Sequence, residues 1–311
     1  MCSRLLRSLS NNRLGAAGAA ALARALAANG SLTVTNLLDN RLDAESAKML
    51  AEVAKQKGIS LCGIQRDQTT ADFSNQNLKP PDAILLASDL LQAGVTGSLT
   101  TIDLSDNQLC GVWTDLRYGD TLTLHGDYTA EGITAIADAL RVNGSLTTLD
   151  LSSNYLMDEG VSAVCEAIQS NKETKLASLN LWNTGVGPVG ANTVAAMVAV
   201  TGSLTKMSLA ENKLEEEGTK AICEALEQNK TLTELDISGY HSGSYIGGSA
   251  GAKHVAKMLG VNGTLTKMKY VTFRSAPSSP KPSSHILPLT LPTALCNLTA
   301  RPLLPSVCVQ P

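Results

Sequence analysis

The stretch Leu146-Thr-Thr-Leu149-Asp-Leu151-Ser-Ser-Asn154-Tyr-Leu156 decides how this chain folds. Its leucines and asparagine read Leu-x-x-Leu-x-Leu-x-x-Asn-x-Leu. Gly160, fourteen residues after the first leucine, opens a helical apolar pattern of Val161, Val164, Cys165 and Ile168. The unit is therefore strand, turn, helix. It returns at Leu176, Leu204 and Leu232, so successive starts lie 30, 28 and 28 residues apart. A fixed period of this kind predicts an α/β solenoid, in which each unit buries its apolar face only by stacking on its neighbours.

Toward the N-terminus, Leu99, Ile102, Leu104, Asn107 and Leu109 make a clear copy with the helix face Ile133, Ile136, Ala137 and Leu140. Between them lies an insertion, residues 110–131, which holds Trp113, Tyr118, Tyr128 and the alternating run Thr121-Leu-Thr-Leu-His125. Turn-forming pairs, Gly119-Asp120 and Gly126-Asp127, flank that run and predict a small hairpin. A weaker copy holds Ala71, Phe73, Gln76 and Leu78, then Pro80-Pro81 and a helix burying Ala83, Leu86, Ala87 and Leu90. Proline is tolerated there because the first helical turn leaves its N–H groups unpartnered anyway. Two copies precede it. One has Leu32, Thr35, Leu37, Asn40 and Leu42 with Ala47, Leu50, Ala51 and Ala54. The first is degenerate: Arg4 and Arg7 replace leucines, but Leu9, Asn12 and Leu14 keep register and Gly18 opens a helix burying Ala19, Leu22, Ala23 and Leu26. A chain starting inside a repeat, without a polar cap, predicts an apolar end covered by a partner or by missing sequence.

Toward the C-terminus the helix faces are Ala191, Val194, Ala195 and Val198, then Thr219, Ile222, Cys223 and Leu226. A last copy starts at Leu265, with Met268 and Tyr270 in its strand. From Arg274 the composition turns to Ser and Pro without a period, which predicts a disordered tail. The expected organisation is one repeat domain over 1–273, of about nine repeats, followed by the tail 274–311.

Each motif residue has a folding role. Leucines at the first, fourth, sixth and eleventh positions point into the shared core and the residues between them point outward. The asparagine amides (Asn40, Asn107, Asn154, Asn212) can satisfy backbone groups where the chain leaves the strand. At the helix-to-strand joints, Asn29-Gly-Ser, Asn143-Gly-Ser and Asn262-Gly-Thr predict left-handed helix ends. These joints also read as glycosylation acceptors, but their register assigns them to the fold.

A net charge of −3 gives no basic footprint for nucleic acid. No apolar run reaches the ~20 residues that span a bilayer, and Met1-Cys-Ser-Arg-Leu-Leu-Arg passes into Ser-Asn-Asn without the apolar core of a secretory signal. Seven cysteines without close pairing fit reduced thiols in a cytoplasmic protein. His125, His241, His254 and His285 share no metal-ligand spacing. The glycine-rich stretch from Gly239 to Lys253 departs from a phosphate loop, with Ala252 before the lysine and His254 after it, so a longer strand-to-helix turn is expected.

The repeated motif, with its 28-residue period and helix pattern, resembles the ribonuclease-inhibitor-like class of leucine-rich repeats. The resemblance covers residues 1 to 272. It implies a right-handed horseshoe with a parallel sheet on the concave face and helices on the convex face. Relatives of the class include ribonuclease inhibitor, the sensing domains of NLR immune receptors and Ran GTPase-activating protein. This chain is poorer in cysteine than ribonuclease inhibitor, and it has neither an NLR nucleotide-binding domain nor the long acidic tail of the Ran activator.

The function expected from this is a non-enzymatic scaffold that binds a protein partner, unidentified by the sequence, on the concave strand face, with no cofactor, nucleic acid or membrane. The alternatives are a GTPase activator resembling the Ran protein and a fragment of a larger repeat protein. The candidate partner-binding residues are Trp182, an outward aromatic of the kind that anchors interfaces, and the row Asp103, Asp150, Asn180 and Asp236, with Ser208 within it and Glu211 beside it. A plain solvated acidic face, and partial burial of Trp182, are the competing readings. Trp113 and Tyr118 in the insertion form a second candidate patch against local hairpin packing. Oligomeric state is left open.

Overall fold

The computed structural model describes residues 7–115, 123–239 and 246–270. Arg4, Tyr118, the Gly119-Asp120 turn, His241, His285, the middle of the glycine-rich stretch and the tail lie outside the described residues. The first elements are β1 (Arg7–Ser8), α1 (Gly15–Ala28), β2 (Thr35–Asn36), α2 (Ala44–Lys57), β3 (Thr70–Asp72), α3 (Pro80–Leu90), α4 (Ala93–Thr96) and β4 (Thr101–Asp103). An antiparallel hairpin follows, β5 (Trp113–Asp115) with β6 (Thr123–His125). The rest is α5 (Glu131–Leu140), β7 (Thr148–Asp150), α6 (Met157–Ser170), β8 (Ser178–Asn180), α7 (Pro188–Val200), β9 (Lys206–Ser208), α8 (Glu215–Gln228), β10 (Glu234–Asp236), α9 (Gly248–Val261) and β11 (Lys267–Lys269). Among the described residues no helix is long and apolar enough to cross a membrane.

The chain is the expected α/β solenoid. A parallel sheet runs β11-β10-β9-β8-β7-β4-β3, and β1 pairs with β2 separately. Each helix packs on the next, from α1 on α2 through α3 on α5 to α8 on α9. Every strand of the large sheet is three residues long, and the middle one is a buried side chain: Ala71, Ile102, Leu149, Leu179, Met207, Leu235 and Met268. The four helix faces expected from Ile133, Val161, Ala191 and Thr219 onward are buried throughout. Cys165 and Cys223 sit in them as free thiols, with burial pushing each up to about 12, which keeps them protonated and unreactive.

The asparagine ladder is present. Asn154 Nδ2 donates to the Leu104, Leu151 and Ser152 carbonyls at 2.8, 3.2 and 3.1 Å, tying its own turn to the repeat before it. Asn40, Asn107 and Asn212 do the same. The joints, however, are not left-handed. Asn29 and Asn262 end their helices in extended backbone, φ −79° and −80°, and their side-chain oxygens accept the N–H groups two and three residues on. The amide thus turns the chain into the next strand, a task the left-handed reading had given to backbone alone. Asn171, Asn229 and Asn262 also donate to the preceding repeat at Leu140, Val198 and Leu226, forming a second ladder. Gly58 alone of these helix ends is left-handed, with φ 65°.

The recurring glycine lies inside the helix, not at its start, and sets helix spacing. A Cβ on Gly218 would stand 2.6 Å from Ala191 Cβ and 3.3 Å from Pro188 Cα. On Gly132 it would meet the Leu109 carbonyl at 2.6 Å. Gly218→Val is therefore expected to lower stability by about 2–4 kcal/mol through overpacking and backbone shifts. Chemical denaturation should show it, with Ala225→Val on the same helix well below that cost.

The third unit departs most from the pattern. Burial was expected for four residues of α3, but the helix is buried continuously from Asp82 to Leu90. Lys48 of α2 reaches Glu131 of α5 at 2.7 Å, bridging the two helices that flank α3 in the stack. The sequence Ala83-Ile-Leu-Leu-Ala-Ser-Asp-Leu90 is apolar on nearly every face, as a fully covered helix requires. Before β3 there is an extra extended segment without a helix of its own. Residues 59–63 pair with β2 through Ser60 N to Thr33 O and Thr35 N to Ser60 O, both 2.9 Å. Among the described residues no backbone hydrogen bond joins it to β3. Its amides turn to Asp89 of α3 instead, which accepts Ser60 Oγ at 2.7 Å, Leu61 N at 2.8 Å and Cys62 N at 3.0 Å.

Candidate functional site

Pairing in strict register carries outward residues of successive repeats into two columns on the open face of the sheet. Residues two places after each first leucine align as Thr101, Thr148, Ser178, Lys206, Glu234 and Lys267. Two residues further on, the second column is Asp72, Asp103, Asp150, Asn180, Ser208, Asp236 and Lys269. The expected row is thus a continuous column. Asp72 and Lys269 extend it at either end. Both follow from the same motif arithmetic, but the degenerate third and last copies obscured them.

The acids are not free charges. Asp150 Oδ1 accepts Ser152 N at 2.9 Å and Ser152 Oγ at 2.6 Å, and Asp236 repeats this with Ser238 at 3.0 and 2.6 Å. Asp103 accepts Ser105 N at 2.9 Å, and Asn180 accepts Trp182 N at 3.1 Å. Each side chain closes the turn that follows its strand. The Asp-x-Ser spacing at 72, 103, 150 and 236 was visible in the sequence as the signal of that role. The second carboxylate oxygen faces across the sheet: Asp150 Oδ2 accepts Asn180 Nδ2 at 2.8 Å, and Asp236 Oδ2 meets Lys269 Nζ at 3.1 Å. Glu234 pairs with Lys267 at 3.3 Å and with Lys206 at 4.0 Å. These pairs are partly exposed, so each contributes at most about 1 kcal/mol to stability.

A groove of about 440 Å³ runs over this face, lined by the two columns from β7 to β11 and by Trp182. Trp182 stands just beyond β8, is 37 % exposed and lines the groove. It lines the same groove as Asp150, Asn180 and the lysine-rich end, a combination that offers apolar area beside hydrogen-bonding groups of both signs. Of the sequence candidates, Asp150, Asn180, Asp236 and Trp182 line the groove, and Asp103 sits one strand outside it. Lys206, Glu234, Lys267 and Lys269 were missed, because lysine and glutamate on an outward strand position read as solvated surface.

Two candidates fall elsewhere. Glu211 stands in a left-handed turn, φ 57°, past the end of β9, where its N–H donates to Ser238 O. The eighth motif position bends away from the sheet, so Glu211 is outside the groove. Trp113 pairs with His125 across the hairpin, its ring stacked on the imidazole at 5.8 Å, and a Cβ on Gly126 would strike it. The Trp113 ring packs within the hairpin and is 39 % exposed, and a Thr114 to Tyr155 hydroxyl contact of 2.7 Å ties the hairpin to the next repeat. His254 lies 3.7 Å from Glu216 on the neighbouring helix and is partly covered. Among the described residues no His, Cys, Asp and Glu cluster could hold a metal.

A leucine-rich-repeat family model matches residues 142–165, the stretch from which the fold was read. NACHT, LRR and PYD domains-containing protein 5 of Bos taurus is 28% identical over 118 residues, 38% of this chain and 11% of that protein. Leiomodin-2 of Gallus gallus is 33% identical over 105 residues, 34% of this chain and 18% of its own length. The chain thus spans less than a fifth of either relative. Among solved structures, one titled leiomodin-1 actin-binding site 2 is 21% identical with a TM-score of 0.35, covering 43% of this chain and 73% of that one. The period, the asparagine ladder and the helix that follows each strand of the parallel sheet give the chain a leucine-rich-repeat fold of the ribonuclease-inhibitor-like type.

Proposed function

We propose that this chain is a non-enzymatic scaffold that holds a protein partner in the groove on the open face of its sheet. The observation that carries the reading is Trp182: a partly exposed indole in a groove whose floor is Leu149, Leu179, Met207 and Leu235 and whose other lining is polar and charged. An aromatic anchor surrounded by polar rim groups is the composition of a protein-binding hot spot. The groove is open along the sheet and suits an extended or convex protein surface better than an enclosed small molecule. Groups fit for acid–base work are missing from it: its carboxylates are occupied by turns and lysines.

The test is affinity capture by the full chain from source lysate, beside Trp182→Ala and Lys206→Glu/Lys267→Glu variants. Both changes lie on the surface, so melting should stay within a few degrees of the parent. A partner retained by the parent and weakened at least about 10-fold by Trp182→Ala, the cost of a lost hot spot, supports the reading. Identical recovery by all three folded proteins rejects it.

A further inference from the structure

The unit that lacks a helix also leaves a gap in the rim of the solenoid. In other repeats the tenth motif position lies in the turn after the strand, where Arg13, Arg41, Asn77 and Tyr155 stand. The segment Ser60–Ile64 passes directly into a turn at Gln65–Gln68 and supplies no such residue. Between Arg41 and Asn77 the rim is therefore open, and a concavity of about 540 Å³ occupies the space. Arg13, Arg41, Lys79, Asn11 and Asn77 line it over a floor that includes Leu42 and Asp82.

The charges in this notch are unequal in availability. Asp82 is buried, and both of its oxygens are engaged by backbone: Oδ1 accepts Asp39 N at 2.8 Å and Oδ2 accepts Lys79 N at 2.9 Å. Burial also raises its pKa above the ordinary carboxyl value, against the pull of those two donors. Asp39, half-buried, is the second acid. Arg13, Arg41 and Lys79 are exposed and form no ion pair among the described residues. Arg13 and Arg41 have φ of 52° and 53°, a conformation that suits the Asn77 and Gly185 of later repeats better than arginine.

We propose that this notch binds an acidic segment of a partner protein, with its carboxylates on Arg13, Arg41 and Lys79. The spacing of the cations favours a chain over a single free anion. Arg13, Arg41 and Lys79 come from three separate turns that line one concavity, and Asp82 ties the last two together by accepting Asp39 N at 2.8 Å and Lys79 N at 2.9 Å. Like-facing side chains of an extended peptide recur every ~7 Å, which lets successive carboxylates meet cations spread along the rim. Guanidinium groups take carboxylates through two parallel hydrogen bonds, which adds direction to the attraction. No residue is shared with the groove on the sheet, so the site stands apart from the function proposed above.

The test is titration of the full chain with a fluorescent octaglutamate peptide, beside octaglutamine and inorganic phosphate at constant ionic strength. Arg13→Gln/Arg41→Gln is compared with Lys172→Gln/Lys220→Gln, which removes the same charge from exposed positions elsewhere. Octaglutamate is expected to bind, to weaken with added salt, and to lose about 10-fold or more in the arginine double variant, as lost charge-assisted hydrogen bonds would cause. The control variant should stay within about 2-fold of the parent. Equal losses in both variants would show a net-charge effect and overturn the proposal. So would equal binding of octaglutamine, no octaglutamate binding up to millimolar peptide, or full displacement by millimolar phosphate, which would reassign the notch to a small free anion.

Discussion

Asp89→Ala is expected to lower folding stability by about 3–5 kcal/mol, which for a chain of this size is a melting midpoint lower by about 10 °C. The side chain is fully buried, and its removal strands three donors, Ser60 Oγ and the Leu61 and Cys62 amides, where water cannot replace it. Scanning calorimetry would measure it, and a loss under about 1 kcal/mol would mean the amides find other partners. The same carboxyl makes stability pH-dependent. Burial outweighs its three donors and pushes it up to about 6 from the ordinary 3.8. A folded-state value above the unfolded one means the native protein holds a proton the unfolded chain has released. The contribution of Asp89 is therefore full below the ordinary value and is lost as pH rises through about 6. Measured against Asp89→Asn, which does not titrate, the parent's relative stability should fall between about pH 4 and about pH 7. A rise over that interval would contradict the burial argument.

Asn212→Ala is expected to cost about 2–4 kcal/mol. Its Nδ2 donates to the Leu181, Leu209 and Ala210 carbonyls at 2.7, 3.0 and 3.2 Å, and its Oδ1 accepts Thr184 N and Val186 N at 3.1 and 3.0 Å. Five backbone groups from two repeats depend on one buried amide. Asn212→Asp should be nearly as damaging, since a carboxylate keeps the two donors but turns a charge toward three carbonyls. Urea unfolding of the three proteins checks this, and an aspartate variant as stable as the parent would show that the donor half of the ladder is dispensable.

The motif made the fold legible because its parts have different periods. Leucines at strand spacing, an asparagine at the exit and apolar residues at helical spacing agree at Leu146 to Ile168, and their agreement names the unit. The joints were misread for a local reason. Asn-Gly is the usual mark of a left-handed helix end, but Asn29 and Asn262 have neighbours two and three residues on whose N–H groups their side chains can take. The burial of all of α3 was legible only in part. Periodicity gives one buried face, whereas its full cover depends on α2 and α5 closing over it, a tertiary fact. In the site, the sequence found the column through its aspartates and the anchor through Trp182. The lysine-rich end and the turn-closing role of each aspartate needed the register between strands, which no single repeat contains.

A stack of repeats passes cooperativity from one neighbour to the next, and it is only as unified as its poorest interface. At Ser60–Cys62 the backbone ladder stops, and a side chain from α3 takes the place of a strand. The molecule is thus spliced at this point: the repeats before it are joined to those after it through two buried carboxylates of α3, Asp82 and Asp89, and through helix packing. An unravelling that begins at the N-terminal edge would meet a firebreak there, leaving the groove built on β7 to β11 standing while the first repeats open and close on their own.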